Sequence, residues 1–338
     1  MKDPRIGAVQ HELSVVVPVF NEEAGLDALL ARTIPVCEAA IGASFEIILV
    51  DDGSTDRSWP IIAGHADASP NIVGVKLSRN YGHQVALTAG LKLARGDYVF
   101  VLDADLQDPP ELLPRMLEKA REGYDVVYGQ RVARAGETVF KRTTASLFYR
   151  LLSSLVDVTI PRDTGDFRLM TRRVVTHFNA MPERFRFVRG MVGWLGFKQV
   201  AVEYERDPRF AGETHYPFRK MLRFAVDAIT SFSTIPLRFA SLLGMGFGLA
   251  GLLALVWVGI SWLSGGTVLG WTSIAALILI IGSMQLLMLG IFGEYLGRMY
   301  MESKQRPLYL VDEVYKQADM GATTEIETPE GLQRALSS

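Results

Sequence analysis

The sequence predicts an α/β domain with a mostly parallel sheet, followed by two membrane-spanning helices. Short apolar runs alternate with helical stretches in the first half of the chain, which is the pattern of a parallel sheet covered on both faces. From residue 239 to residue 293 the chain contains no Asp, Glu, Lys, Arg or His, which is room for two spans. The 338 residues are 49% hydrophobic with a net charge of −2, which excludes a disordered chain and argues against a general nucleic-acid binder. The single cysteine, Cys37, excludes an internal disulfide framework.

The expected elements follow from these runs. We expect strands over 13–19, 45–50, 72–77 and 98–102, and helices over 21–37 and 84–93. The segment Asp108-Pro-Pro-Glu111 predicts a further helix start, with Asp108 as N-cap and Pro in the first turn.

Polar clusters stand where three of these strands end. They are Asn21-Glu22, Asp51-Asp52 and Asp103-Ala-Asp105. Because ligands of such sheets bind beyond the carboxyl ends of the strands, this shared placement predicts a binding site there. Neither GxGxxG after the first strand nor GxxxxGK[ST] is present, which argues against dehydrogenases and P-loop enzymes.

The residue types indicate phosphate chemistry. Asp103 and Asp105 offer paired hard oxygens for Mg²⁺ or Mn²⁺, and Gln107 offers another. A lone Asp-x-Asp is often only a solvated turn, and Asp52-Gly53 is also turn chemistry. Arginine suits phosphate because its planar fork binds two oxygens. Five arginines are available: Arg131, Arg142, Arg168, Arg189 and Arg209. His83, at a helix start, is expected to be structural.

The flanks of the uncharged run predict its orientation. Basic residues precede the first span and follow the second, whereas the loop around Gly265-Gly266 has none, so both ends are expected to be cytoplasmic. Amphipathic basic stretches over 140–155 and 218–229 fit an interface placement or, for the first, an ordinary packed helix. Small-xxx-small patterns at 244–248 and 293–297 allow helix packing within one chain or between copies, and thus a homo-oligomer.

The expected organisation has five parts. These are a polar arm without a secretory signal (1–12), the α/β domain (13–215), a juxtamembrane amphipathic helix (216–235), two transmembrane helices (236–298) and a C-terminal tail (299–338).

Taken together, the motifs resemble glycosyltransferase family 2, with the GT-A fold. The matching segments are 17–23 (VPVFNEE), 51–56 (DDGSTD) and 103–110 (DADLQDPP). With 79–84 (RNYGHQ), 166–168 (DFR), 209–216 (RFAGETHY) and 293–298 (GEYLGR), the chain is similar to polyisoprenyl-phosphate glycosyltransferases, and most of all to the bactoprenol glucosyltransferase branch.

This resemblance implies inverting transfer of a hexose from a nucleotide-diphosphate sugar to a polyprenyl phosphate at a bacterial inner membrane. Glucose from UDP-glucose is the expectation from the most similar branch. The implied nucleotide contacts are Pro18, Asn21, Glu22 and Asp52, and the implied ligands of the metal and diphosphate are Asp103, Asp105 and Gln107. The implied phosphate ligands are Arg131, Arg142 and Arg209, and Asp166 is implied as a catalytic base or an orienting group beside Asp105.

One departure from the family pattern and several alternative functions stay open. His215 stands where the resemblance predicts a lysine, and it is not assigned to the site. Mannose or formamido-arabinose transfer fits the same motifs, as does a catalytically dead scaffold or flippase partner, although the intact Asp103, Asp105 and Arg209 count against the latter. A processive polysaccharide synthase is disfavoured because a QxxRW-type segment and further spans are missing.

Overall fold

The computed structural model describes residues 11–132, 164–205, 233, 235–264 and 270–316. These residues divide into two compact units, one built on a β-sheet and one on the apolar helices. Several expectations lie outside the described residues: the first ten residues of the arm, the amphipathic stretches 140–155 and 218–229, the connection at Gly265-Gly266, the tail beyond 316, and Arg142, Arg209 and His215.

The sheet unit contains eight described strands. They are β1 (Leu13–Val19), β2 (Phe45–Asp51), β3 (Ile72–Leu77), β4 (Tyr98–Val101), β5 (Val126–Arg131), β6 (Thr164–Thr171), β7 (Gln199–Tyr204) and β8 (Val311–Lys316). Their order across the sheet is β7-β5-β6-β4-β1-β2-β3-β8. Strands β6 and β8 run antiparallel to their neighbours, whereas the other pairings are parallel. The mostly parallel α/β fold class is therefore confirmed.

Helices connect the strands and continue beyond them. In the sheet unit they are α1 (Leu26–Ile41), α2 (Ser58–Ala68), α3 (His83–Leu93), α4 (Leu113–Arg121), α5 (Arg172–Asn179) and α6 (Val188–Trp194). A short 3₁₀ turn, Pro110–Leu112, precedes α4. The second unit contains α7 (Ile235–Leu263) and α8 (Trp271–Ser303).

Two sequence expectations need correction at their boundaries. The helix expected from residue 21 begins only at Leu26, because Asn21 adopts a left-handed conformation (φ 55°) that a helix does not allow. Asp108 is not an N-cap, since no side chain caps the helical segment that follows it. Its fully buried carboxylate instead accepts a hydrogen bond from the Tyr204 hydroxyl.

The core forms because the central strands are apolar on both faces. All seven residues of β1 and of β2 are buried, as expected for strands covered by helices on both sides. Phe45, Phe100 and Phe167 lie fully buried in the same sheet, and Phe100 meets Phe167 edge-to-face at 5.3 Å between ring centroids.

Strand register decides which polar residues meet at the carboxyl edge of the parallel strands. Because β6 is antiparallel to β4 and Val101 pairs with Arg168, the residues two positions beyond this pair, Asp103 and Asp166, come to the same level. On the other side of β4, β1 carries its register with β2 as far as Val19 and Asp51.

The helices α7 and α8 are long and apolar enough to cross a membrane. The candidate spans within them, Ile235–Leu253 and Ile280–Ser303, both have a mean hydropathy of 1.4. Only 6% of the first span and none of the second is buried, which is unlike the core helix of a soluble protein. Two candidate membrane helices therefore follow the α/β domain, as expected.

After α8 the chain returns to the sheet as β8. This strand pairs with β3, and Lys76 of β3 lies 3.3 Å from Asp312 and 2.9 Å from Glu313. The sequence predicts no strand here, because the segment VDEVYK mixes charged and apolar residues without an apolar run. In the structure, five of its six residues are exposed. The charged strand covers what would otherwise be an open sheet edge.

Gly96 should be intolerant of any side chain. A Cβ there would lie 2.5 Å from the Leu13 carbonyl carbon and closer still to the Ser14 amide nitrogen, so backbone would have to move. We expect Gly96→Ala to lower the free energy of unfolding by about 2 kcal/mol through overpacking.

Gly64→Ala is the matched control, because Gly64 lies within α2 with no neighbouring atom within 4 Å of its Cβ position. It should raise stability by up to about 1 kcal/mol through helix propensity. Thermal unfolding in detergent measures both variants, and equal midpoints would contradict the assignment of a close approach.

Candidate active site

The turn after β1 forms one side of the candidate site. Asn21 adopts its left-handed conformation there, and its Oδ1 accepts a hydrogen bond from the Thr55 amide at 2.8 Å. The Asn21 amide donates to Ser54 Oγ at 3.0 Å, and the Glu22 amide donates to Ser58 Oγ at 3.0 Å. These bonds join the turns that follow β1 and β2. Pro18 lies in β1 shortly before these turns and pairs with Val50 of β2.

Asp52 holds the loop that leads into α3. Its buried carboxylate accepts hydrogen bonds from the amides of Tyr81, at 2.7 Å, and Gly82, at 2.8 Å. Burial raises the pKa of Asp52, against the effect of these two donors. Gly53 (φ 70°) allows this approach, because a Cβ there would lie 2.6 Å from the Arg79 carbonyl carbon.

The turn after β4 presents the paired aspartates. Leu106 adopts a left-handed conformation (φ 58°) that is uncommon for such a residue, and its side chain is only 4% exposed. The Gln107 amide donates to Asp105 Oδ1 at 3.2 Å. Burial of Leu106 therefore stabilises a turn in which Asp103, Asp105 and Gln107 share one short segment.

His83 links two of the carboxylates. Its Nε2 lies 3.5 Å from Asp103 Oδ1 and 3.4 Å from Asp166 Oδ2. Burial alone would lower the pKa of His83, but the contact with Asp166 and the charge of Asp103 raise it to about 9. His83 is therefore cationic at neutral pH and sits between two anions.

Asp166 has more positively charged neighbours than Asp103 has. Gln84 Nε2 donates to its Oδ2 at 2.6 Å, while Arg168 and Arg189 lie 3.8 Å and 3.9 Å from its Oδ1. Burial would raise the pKa of Asp166, but His83 and the two guanidinium groups hold it well below its usual range. Asp166 is therefore a stable carboxylate.

Arg131 lies at the end of β5 beside this cluster. Its Nε donates to the Tyr204 hydroxyl at 3.3 Å, and its guanidinium lies 3.9 Å from the buried Asp108. It is therefore engaged within the protein.

The aspartates after β4 suit a divalent cation. Asp103 Oδ1 is buried without a hydrogen-bond partner, and burial raises the pKa of Asp103 to about 6, against the nearby charge of His83. A carboxylate with too little positive charge around it, two residues from a second carboxylate, fits the oxygen ligands that Mg²⁺ and Mn²⁺ prefer. Among the described residues, no group of three or more His, Cys, Asp or Glu side chains is arranged to hold a metal ion.

Comparison with known proteins identifies the family. The model of glycosyl transferase family 2 matches residues 14–178, which include every strand end described above up to Asp166. An uncharacterized glycosyltransferase of Bacillus subtilis, YkcC, is 47% identical over 305 residues, covering 90% of this chain and 94% of the relative. The chain belongs to glycosyl transferase family 2.

Other relatives carry more specific names. A prophage bactoprenol glucosyl transferase homolog of Escherichia coli is 38% identical over 90% of this chain and 100% of its own length. The bactoprenol glucosyl transferase of Shigella phage SfX is 39% identical over 89% of this chain and 98% of its own length. Among solved structures, mannosyl-3-phosphoglycerate synthase from Rubrobacter xylanophilus has 19% identity and a TM-score of 0.47 over 65% of this chain and 72% of that one.

The structure brings most of the expected site residues of this glycosyltransferase to one edge of the sheet. Asn21, Glu22 and Asp52 lie at the ends of β1 and β2, and Asp103, Asp105 and Gln107 follow β4. Asp166 faces Asp103 across His83. Arg142 and Arg209 lie outside the described residues, so their roles stay predictions.

Sequence reasoning gave no specific site role to three residues of this cluster. His83 was expected to be structural, Gln84 was noted only within a motif, and Arg189 was only one of five arginines available for phosphate. A signal for His83 and Gln84 is present: they start the helix that follows β3, so they lie near the carboxyl end of that strand, where ligands of such sheets bind. For Arg189 no comparable signal exists, because its distance to Asp166 depends on how α6 packs.

Gly53→Ala should damage nucleotide binding in this glycosyltransferase. The added Cβ would displace the Arg79–Asn80 backbone, and with it the amides that Asp52 binds. Because the family resemblance implies that Asp52 contacts the nucleotide, we expect UDP to bind at least about tenfold more weakly once this carboxylate loses the amides that position it. Titration calorimetry with UDP measures the effect.

Gly42→Ala separates the two causes. Gly42 has a similar positive φ of 65°, but nothing lies within 4 Å of its Cβ position. Both variants should lose stability from backbone strain, and Gly42→Ala should still bind UDP as the wild type does. Equal loss of UDP binding in both variants would contradict the role given to the Gly53 contact.

Proposed function

We propose that this protein transfers glucose from UDP-glucose to the phosphate of undecaprenyl phosphate, with inversion at the anomeric carbon. The observation that carries the proposal is the cluster in which His83 links Asp103 and Asp166, at a sheet edge suited to phosphates, in a chain that continues into two apolar helices. The names of the relatives support the acceptor and the sugar.

The donor half of the site lies over β1, β2 and β4. Asn21, Glu22 and Asp52, together with Pro18, are proposed to contact the nucleotide. Asp103, Asp105 and Gln107 are proposed to hold a divalent cation, Mg²⁺ or Mn²⁺. When bound, that cation neutralises charge on the diphosphate.

The chemical step needs positioning more than proton transfer. A phosphate oxygen of the acceptor attacks the anomeric carbon and forms the new C–O bond. The bond from that carbon to the diphosphate breaks, and its electron pair leaves with the nucleoside diphosphate. Because the acceptor phosphate is already an anion at neutral pH, no general base has to activate it.

Asp166 is therefore proposed to orient rather than to accept a proton. Its pKa is held well below its usual range by His83 and its arginine partners, despite burial, which makes it a weak base. Held as an anion, it fixes the cations that would meet the substrates. Arg131, Arg142 and Arg209 are proposed to bind phosphate groups of donor and acceptor.

The two apolar helices are proposed to anchor the protein in the membrane that holds its lipid acceptor. The chain leaves the sheet unit before α7 and rejoins the same sheet as β8 after α8, which supports two crossings that return it to the starting side. Because basic residues flank the uncharged run on both sides, we place the α/β domain and both ends on the cytoplasmic side of a bacterial inner membrane.

The test is transfer of labelled sugar into the organic phase. Purified protein in detergent is incubated with undecaprenyl phosphate, Mg²⁺ or Mn²⁺, and a panel of labelled UDP- and GDP-sugars. We expect label only from UDP-glucose, and only with acceptor and metal, and NMR of the product should show the inverted configuration. Folded protein that transfers no sugar would overturn the enzyme assignment, and transfer from another donor would overturn the choice of glucose.

Asp105→Ala should lower the transfer rate by roughly 100-fold or more, because the cation that stabilises the leaving diphosphate loses a ligand. Asp67→Ala is the control, since Asp67 lies exposed on α2 and its loss removes the same charge. Initial rates at saturating substrates measure both. A rate for Asp105→Ala equal to that of Asp67→Ala, with both proteins folded, would refute the metal assignment.

A further inference from the structure

Three described arginines face the cluster at the carboxyl edge, and they differ in how fully they are engaged. Arg131 donates to Tyr204 and lies near Asp108. Arg168 is only 3% exposed, and its guanidinium donates to the carbonyl oxygens of Asp166, at 3.2 Å, and Gly165, at 3.0 Å. Both are held by groups of the protein itself.

Arg189 is held much less completely. Its closest charge contact is Asp166 Oδ1 at 3.9 Å, which is too long for a hydrogen bond. Its buried Nε has no hydrogen-bond partner, while 20% of the side chain remains exposed. A buried donor without an acceptor is unfavourable until an acceptor arrives. The Arg189 guanidinium therefore has capacity for an incoming anion.

Gln84 fixes where this guanidinium can lie. Its Nε2 donates to Asp166 Oδ2 at 2.6 Å, and its Oε1 accepts from the Val188 amide at 2.8 Å. Arg189 is the next residue in α6. One side chain thus sets the distance between the carboxylate of Asp166 and the first turn of the helix that carries Arg189.

The charge at this point favours an anion. Two guanidinium groups, Arg168 and Arg189, face the single carboxylate of Asp166. Arg168 is already engaged by the carbonyl oxygens of Asp166 and Gly165. Because Asp166 also contacts Arg168 and His83, it does not by itself neutralise Arg189, and a guanidinium fork binds phosphate oxygens in pairs.

The sheet order indicates which phosphate this is. Asn21 and Asp52, the proposed nucleotide contacts, follow β1 and β2, whereas Asp166 starts β6 on the opposite side of β4. Arg189, which lies beside Asp166, is thus separated from the proposed nucleotide contacts by Asp103. The second substrate must approach the anomeric carbon from this side.

We infer that Arg189 binds the phosphate of the lipid acceptor and that Gln84 is the residue that positions it. This inference rests on the proposed function, because it takes the acceptor to be a polyprenyl phosphate.

Two variants and a matched control test it in the full-length protein in detergent. Arg189→Gln removes the charge, and Arg189→Lys keeps the charge but loses the fork. Arg173→Gln removes an equal charge from an exposed residue at the opposite edge of the sheet, where Thr171 pairs with Tyr98. Thermal unfolding midpoints without ligand establish that each protein is folded.

The first measurement is the thermal stabilisation caused by farnesyl phosphate, with farnesol and inorganic phosphate as comparison probes. Wild type and Arg173→Gln should be stabilised by farnesyl phosphate and not by farnesol, whereas Arg189→Gln should lose the effect and Arg189→Lys should keep part of it. A free-phosphate site would respond equally to inorganic phosphate. That result, or an unchanged response of Arg189→Gln, would overturn the inference. This arm needs no sugar donor, so it remains decisive even if transfer from UDP-glucose fails and the proposed function falls.

The second measurement is steady-state transfer from UDP-glucose to undecaprenyl phosphate. For Arg189→Gln we expect the KM for the lipid to rise by about tenfold or more, because a charge-assisted hydrogen bond is lost, with the KM for UDP-glucose within about twofold of wild type. Gln84→Ala should raise the same KM by a smaller factor. A donor KM that rises as much as the lipid KM would refute the acceptor assignment.

Discussion

The structure depends on how it tolerates buried carboxylates at one edge of a parallel sheet. Asp52, Asp103 and Asp166 all lie there, and burial disfavours the ionised form of each. Each is compensated differently: Asp52 by two backbone amides, Asp166 by cations, and Asp103 by little beyond His83. These compensating bonds fix the loop before α3, the start of β6 and the first turn of α6. The electrostatic requirement is therefore also what assembles the site.

Backbone conformation gives this edge its shape. The turns after β1, β2 and β4 each contain a residue with positive φ: Asn21, Gly53 and Leu106. Asn and Gly adopt that conformation readily, whereas Leu106 requires burial of its side chain to hold it. Each turn redirects the chain immediately after a strand, so polar groups face the edge while the neighbouring apolar side chains stay in the core. Local strain and core packing thus cooperate at the same three points.

The parts of the fold that local pattern determines were predictable, and the rest was not. Strands such as β1 and β3 are unbroken apolar runs, so their bounds and parallel arrangement follow from the sequence. The neighbours of Asp166 depend on the antiparallel insertion of β6 between β4 and β5, which no local pattern encodes. For the same reason His83 looked structural. Strand β8 was missed because a charged edge strand with one buried residue lacks the alternation that marks a half-buried strand.

Asp103 and Asp166 show how one environment can give two carboxylates different tasks. Asp166 is buried and Asp103 is partly buried, with 23% of its side chain exposed, and both contact His83. The pKa of Asp166 is held low by its added arginines and His83, while burial raises that of Asp103 to about 6. Asp166 is thus already neutralised by the protein and has no need of a metal ion. Among the described residues, Asp103 forms an ion pair with His83 alone, without an arginine. Under the proposed function, a divalent cation bound there would supply the missing charge, and the uneven distribution of arginines would direct metal and donor to one side of His83 and leave the other side for the acceptor.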